Sequence, residues 1–121
     1  MGAGEGATVE EDPHGGSLDA LASSKGAGGT VCVVEVRSRL REDGIDQLLR
    51  ILRDFPRFFP QHRGKKLIGV LAAVDTRPEL EERVLREGLV LASIRDDIFE
   101  LKLPEGFEPR AFPNPADSPA N

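Results

Sequence analysis

Hydrophobic and polar positions along the middle of the chain follow a strand-like pattern in five segments. Residues 30–38 carry four valines, a residue type that favours strands, and the runs at 67–74 and 89–94 are apolar almost throughout. Residues 98–103 alternate apolar with charged side chains, and residues 17–23 alternate more loosely. The pattern therefore predicts three buried strands, an outer strand at the end and a short strand at the start.

Two segments between these strands have apolar residues at helical spacing. The first is Asp43–Phe55, for which Asp43 is the predicted N-cap and Pro56 is expected to end or kink the helix. Phe58 and Phe59 could continue it as a last turn before Pro60. The second is Pro78–Glu87, with Gly88 as its C-cap. The order ββαβαββ predicts an α/β fold, in which a mixed central sheet is flanked by helices. The inward-facing residues are predicted to be Ile45, Leu48, Leu49, Leu52, Phe55, Leu80, Val84 and Leu85.

Composition separates the two ends from this core. Residues 1–16 contain five glycines and four acidic residues, and residues 104–121 hold five of the nine prolines. Such segments bury too little apolar surface to offset their ordering entropy. We therefore predict one domain at 17–112 between disordered tails at 1–16 and 113–121, with Phe107 and Phe112 holding the start of the last segment against the body.

Charge and cysteine content narrow the possible classes of protein. The net charge of −5 argues against general binding to polyanions, although residues 35–66 hold nine basic and five acidic residues. We interpret that basic segment as a solvated helix face rather than a nucleic-acid surface. The longest apolar run, Val70–Val74, is far shorter than a membrane span, and the acidic, glycine-rich residues 1–16 predict no secretory signal. A cytoplasmic protein is expected.

Three residues are of types that often act in catalysis or metal binding, but no such role is predicted for them here. Cys32 is the only cysteine, lies in a predicted buried strand and is interpreted as a small core residue without a disulfide partner. His14 and His62 stand alone without metal-ligand spacing, and we expect both to be exposed.

One constellation does indicate chemistry. Glu35 and Arg37 alternate onto the same face of the strongest strand. A hairpin centred on Ala27, in the glycine-rich loop, would place Asp19 of the preceding strand beside Glu35. Two carboxylates this close repel unless a proton or cation lies between them, and Mg²⁺ prefers such oxygen ligands. The alternative is a structural ion-pair cluster of these acids with Arg37 or Arg39.

An Asp strand, a hairpin and then Glu-x-Lys resemble the motif of the PD-(D/E)XK nuclease superfamily, and most closely an uncharacterised prokaryotic subfamily of it. The resemblance covers about residues 17–112. The residues that carry it are Leu18-Asp19-Ala20, Val33-Val34-Glu35-Val36-Arg37-Ser38, Phe58-Phe59-Pro60, Leu67–Val74 and Pro104-Glu105-Gly106-Phe107. It implies a restriction-endonuclease-like core, whose usual opening helix and strand are not predicted ahead of Ser17.

The resemblance also implies a function. Asp19 and Glu35 would hold Mg²⁺ or Mn²⁺, and Arg37 would stand in the place of the lysine that helps to activate water for hydrolysis of a DNA phosphodiester. Arginine binds phosphate but cannot serve as a base, so weak or lost activity is expected. The alternatives are a catalytically inactive binding or dimerisation module, for which a homodimer is expected, and a gene fragment with no independent role.

Overall fold

The computed structural model describes residues 7–10, 20–24 and 29–116, and it describes side chains within 29–116. Within this part of the chain, no helix is long and apolar enough to cross a membrane. The elements are β1 (Ala7–Glu10), β2 (Ala20–Ser24), β3 (Thr30–Arg39), α1 (Glu42–Phe58), a 3₁₀ turn (Pro60–His62), β4 (Lys66–Asp75), α2 (Pro78–Arg86), β5 (Val90–Arg95) and β6 (Ile98–Lys102).

The six strands form one mixed sheet in the order β1-β2-β3-β4-β5-β6. The neighbours β3, β4 and β5 are parallel, and the remaining pairs are antiparallel. The turn between β5 and β6 contains Asp96 and Asp97, both at positive φ, as a type I′ hairpin turn requires. The predicted α/β class with a mixed central sheet is confirmed.

Both helices pack on the same face of this sheet. Each connects two adjacent parallel strands, and the two crossovers advance in the same direction across the sheet. Because such crossovers are almost always right-handed, successive ones place their helices on one face. The odd-numbered residues of β3 and β4 face these helices, and one apolar core joins all of them; its members include Val31, Val33, Leu48, Leu52, Leu67, Leu71, Leu80 and Val84.

The opposite face of the sheet carries apolar residues that the described part of the chain leaves partly open. Val36, Ala72, Ala92 and Leu101 form one row across β3 to β6. The exposed fraction in this row rises from zero at Ala72 to 56% at Leu101. The prediction of helices around the sheet is therefore met on one face, and the other face remains an apolar surface toward the β6 edge.

A strand lies within the segment that was predicted to be a disordered N-terminal tail. β1 pairs antiparallel with β2, from Ala7 opposite Ser24 to Glu10 opposite Leu21. Ala-Thr-Val-Glu contains two β-branched residues, which favour a strand once a neighbouring edge is available. Tertiary pairing, which composition does not report, brings this short segment into the sheet.

Helix α1 begins earlier than predicted and continues through Pro56. Its N-cap is Arg41 rather than Asp43, and Asp43 instead lies in the first turn. Pro56 lies inside the helix, which continues to Phe58. Proline in the last turn removes one backbone hydrogen bond. The Phe55 and Phe59 rings stack at 4.8 Å between centroids, and both are buried, so apolar packing stabilises the added turn.

The C-terminal segment binds back to the body of the domain. Phe112 pairs with Leu67 at the start of β4 and is buried. The Asn114 amide donates to the carbonyl oxygens of His62 and Lys65 at 2.9 and 3.0 Å. The structure thus differs from the predicted tail at 113–121, since ordered contacts reach Asn114; residues 117–121 lie outside the described residues.

Candidate functional site

The hairpin of β2 and β3 has the register that was predicted for it. Ala20 lies opposite Val34 and Ser23 lies opposite Val31, so each pair is centred on Ala27. This register was the basis for expecting Asp19 beside Glu35. Asp19 itself lies outside the described residues, and its place at the site therefore stays a prediction.

Glu35 is a buried carboxylate on the helix-facing side of β3. Its exposed fraction is 3%, and Val31 and Val33 precede it on the same face with none. The Arg37 side chain, two residues further along the same face, donates from Nε to Glu35 Oε2 at 3.1 Å. Burial of a charge is costly without such a partner, so the Arg37 guanidinium offsets the cost of burying the Glu35 carboxylate in the folded protein.

The start of α1 holds Arg37 in place. Gln47 Oε1 accepts a hydrogen bond from Arg37 Nη2 at 3.4 Å. At Gly44 a methyl group would lie 3.5 Å from the guanidinium carbon of Arg37, so the guanidinium lies directly against the backbone of the first helical turn. Neither residue was predicted at the site from the sequence, because neither belongs to a motif and only the fold brings the first turns of α1 over β3.

A second feature, which we call the arginine pocket, lies beyond this pair at the carboxyl ends of β3 and β4. It is an open cavity of about 430 Å³ lined by Arg39, Leu40, Arg41, Asp75, Thr76 and Arg77. In the described part of the chain neither Arg39 nor Arg41 forms an ion pair, and Arg77 has only a distant one, 3.9 Å to Glu79. Three cationic side chains around one acid favour an anionic ligand.

The arginine pocket continues the face that carries Glu35. Arg37 and Arg39 follow Glu35 at alternate positions on β3, and Arg39 pairs with Asp75 across to β4. At about 3.3 Å per residue, Arg39 lies roughly 13 Å along the strand from Glu35. The residues preceding α1 and α2, Arg41 and Arg77, supply the remaining charge. Part of the basic segment 35–66 thus belongs to a pocket and not to a helix face.

The described residues supply one carboxylate for a divalent metal at this site. No group of three or more His, Cys, Asp or Glu side chains with metal-binding geometry occurs among them. Glu35 offers hard oxygen atoms of the kind that Mg²⁺ prefers, and Mg²⁺ is commonly held by one or two carboxylates together with water and substrate phosphate. The site fits such an ion in donor type, and a metal there would share the Glu35 carboxylate with Arg37.

Cys32 and His62, for which no catalytic or metal-binding role was predicted, lie in different environments. Cys32 is half-buried on the open face of β3, and burial raises the pKa of its thiol, which keeps it protonated and unreactive. His62 is buried at 5% exposure, where exposure was predicted. Its ring lies against Phe55 with centroids 6.2 Å apart, and Lys65 Nζ approaches its Nδ1 at 3.1 Å. The 3₁₀ turn after α1 carries the ring inward, which no sequence period indicates.

The comparisons with known proteins concern the fold. No family model and no curated protein sequence matches the chain. Among solved structures, the chain is similar to a repair endonuclease from Pyrococcus abyssi, with a TM-score of 0.57 and 19% sequence identity. The match covers 75% of this chain and 39% of the endonuclease, so the chain spans less than half of that protein's length. This likeness confirms the predicted restriction-endonuclease-like fold and concerns the fold alone.

Proposed function

We propose that this chain is a metal-dependent nuclease-like domain that hydrolyses DNA phosphodiesters, with activity weakened by Arg37. The observation that carries the proposal is the buried Glu35 carboxylate, bridged to Arg37 at 3.1 Å on the central strand of a nuclease-like fold. A structural acid in a valine-rich strand is costly, and a functional one explains why the position is charged at all.

In this proposal each residue has a separate task. Asp19 and Glu35 hold Mg²⁺ or Mn²⁺, which when bound lowers the pKa of water and stabilises negative charge on phosphate. Arg37 binds a phosphate oxygen with its guanidinium and stays protonated, so it does not accept a proton. Gln47 and the Gly44 backbone keep the guanidinium beside Glu35.

The arginine pocket supports DNA as the substrate class. Phosphates recur every 3.4 Å of helix axis along each DNA strand. Consecutive phosphates are farther apart than this along the winding strand itself, so a strand that follows β3 can place neighbouring phosphates at Arg37 and at Arg39, within the roughly 13 Å between Glu35 and Arg39. Such contacts position the backbone and are independent of base sequence.

A second candidate function is a nuclease-like domain that binds DNA without cleaving it. The ion pair itself favours this candidate, because Arg37 occupies Glu35 Oε2 and competes with a metal for that carboxylate. General-base assistance typically contributes about 10²–10⁴-fold to rate, and arginine supplies none. The two candidates share the arginine pocket and differ in whether the bound DNA is cleaved.

Metal uptake and cleavage are tested together with the full chain. Calorimetric titration with Mn²⁺ should show binding that Glu35→Gln abolishes, and Mn²⁺ should raise the melting temperature of the wild type by mass action. Weak plasmid nicking in Mn²⁺ should be lost in Asp19→Ala and Glu35→Gln and should increase in Arg37→Lys. Glu105→Gln, an exposed carboxylate in the turn after β6, is the matched control.

The outcomes separate the candidates. Metal binding without nicking, in both the wild type and Arg37→Lys, supports the binding module. Absence of any Mn²⁺ effect on heat or melting temperature rejects the metal site and with it the nuclease. Equal nicking by the wild type and Glu35→Gln would show that a contaminating nuclease is responsible.

DNA binding by the arginine pocket is tested by salt dependence without metal. Replacing Arg39, Arg41 and Arg77 with glutamine should lower the slope of log K against log salt by about one for each phosphate that is no longer bound. A triple variant at the exposed residues Arg57, Arg86 and Arg95 has the same net charge and is the control. An equal decrease of the slope in both variants would mean that DNA binding depends only on the overall charge of the protein and not on the arginine pocket.

A further inference from the structure

The last strand, β6, is an unpaired edge of the sheet. It ends the strand order, and within the described residues no strand lies on its outer side. All five of its residues are exposed, including Ile98 at 65%, Phe99 at 52% and Leu101 at 56%. A free edge that carries this much apolar surface is a template for pairing with another strand.

The turn before β6 determines which backbone groups face outward. Asp96 and Asp97 form a two-residue turn, and Arg95 lies directly opposite Ile98. In such a hairpin the closing pair exchanges both hydrogen bonds, and bonded pairs recur at every second residue. Residues 98, 100 and 102 therefore bond to β5, and the N–H and C=O groups of 99, 101 and 103 face the open edge.

We propose that two copies of this chain associate by antiparallel pairing of their β6 strands, with Leu101 on the two-fold axis. Phe99 then lies opposite Leu103 of the partner subunit, and each such pair uses the outward-facing backbone groups. Glu100 lies opposite Lys102 of the partner subunit, at a non-hydrogen-bonded position where opposing side chains are closest. The two-fold axis repeats both contacts.

Charge complementarity selects this register. If the strands instead pair about Phe99, Glu100 faces Ile98 of the partner subunit, and if they pair about Leu103, it faces Gly106 of the partner subunit. Only pairing about Leu101 places an acid opposite a base on both sides of the axis. Pro104, which lacks an N–H, follows directly and limits the paired segment.

The pairing also joins apolar surfaces. Phe99 and Leu101 lie on the open face of the sheet, next to Ile94 and Ala92 of β5. In the dimer they pack against Leu103 and Leu101 of the partner subunit, and the two open faces become continuous. One strand pair is a small interface, so we expect a weak dimer with Kd in roughly the micromolar range.

Sedimentation velocity over about 1 µM to about 1 mM protein measures the association. Glu100→Lys and Lys102→Glu should each weaken it about tenfold or more, since like charges then face each other twice. The double variant Glu100→Lys/Lys102→Glu should recover much of the affinity. Recovery should be partial, because Lys102 also approaches Glu81 of its own α2 at 3.7 Å. Glu105→Lys, with the same charge change outside β6, should leave Kd unchanged.

Cross-linking tests the axis itself. Leu101→Cys in a Cys32→Ser background should form a covalent dimer with a short bifunctional thiol reagent, and Ile98→Cys in that background should form far less. Leu101→Pro removes an outward-facing N–H and should abolish the dimer with the circular dichroism spectrum retained. A monomer at all concentrations overturns the proposal, as does a dimer that survives Leu101→Pro or that the charge exchange does not restore. None of these results depends on nuclease activity.

Discussion

The pairing of Glu35 with Arg37 is at once a stability requirement and the centre of the candidate site. Glu35 lies 3% exposed after two apolar helix-facing residues, Val31 and Val33, and the Arg37 side chain is 28% exposed at the rim. An ionised carboxylate at such a position depends on the guanidinium for compensation. Any change to Arg37 therefore acts on folding as well as on the proposed phosphate and metal binding.

Removing the guanidinium should expose that dependence. Arg37→Met should lower the free energy of unfolding by about 2–3 kcal/mol, because it leaves the charge of Glu35 without the bridge. Glu35→Gln/Arg37→Met should be more stable than Arg37→Met alone, since the amide carries no charge. Denaturant titration of the wild type, these two variants and Glu35→Gln gives the coupling energy. Additive effects would mean that the two side chains do not stabilise one another.

At the scale of elements, close approach between α1 and the sheet depends on Gly69 in the middle of β4. A methyl group there would lie 2.6 Å from Leu52 Cδ1 and 2.7 Å from Leu89 Cδ2. These distances are shorter than atoms can tolerate, so glycine allows the helix to lie directly on the strand. The same packing brings the first turns of α1, with Gln47, over Arg37.

Overpacking at this position should be measurable. Gly69→Ala should destabilise the protein by about 1–3 kcal/mol, because Leu52 and Leu89 must move aside. In a Leu52→Ala background, which opens space at one of the two contacts, the added cost of Gly69→Ala should be smaller. Thermal and denaturant unfolding of the double-mutant cycle measure this. An unchanged cost would place the strain outside the contact with Leu52.

At the scale of the whole molecule, the C-terminal segment closes the end of the core. Phe112 is 8% exposed and its N–H donates to Leu67 O at 2.9 Å, while Arg110 N–H donates to Gly88 O at the same distance. The segment thus spans the starts of β4 and β5. The Arg110 guanidinium lies over the Phe112 ring, 4.5 Å from its centroid, and covers one face of that ring.

Loss of this anchor should destabilise the whole domain. Phe112→Ala should cost about 3 kcal/mol and should make the chain beyond Glu108 sensitive to limited proteolysis. Phe58→Ala, at a phenylalanine that is 49% exposed, is the control and should cost about 1 kcal/mol or less. Equal costs for the two variants would show that the segment from Phe112 onward contributes no stability of its own.

The local patterns were sufficient for most elements and for half of the candidate site. The valine-rich β3, the apolar β4 and β5 and the alternating β6 appear within about one residue of their predicted bounds, because period and β-propensity act locally. The hairpin register follows from the position of the glycine-rich loop, and it matches over residues 20–23. Alternation also placed Glu35 and Arg37 on one face.

Only the tertiary structure decided the rest, because the remaining features depend on contacts between residues far apart in the chain. The arginine pocket joins Arg39 and Arg41 to Arg77 across two parallel strands, and β1 is a strand because β2 offers it an edge. His62 and Asn114 are brought together by the returning C-terminal segment. The hydrophobic pattern of an element specifies which of its faces is apolar. The energy of packing and strand pairing between distant segments decides which residues pack against that face.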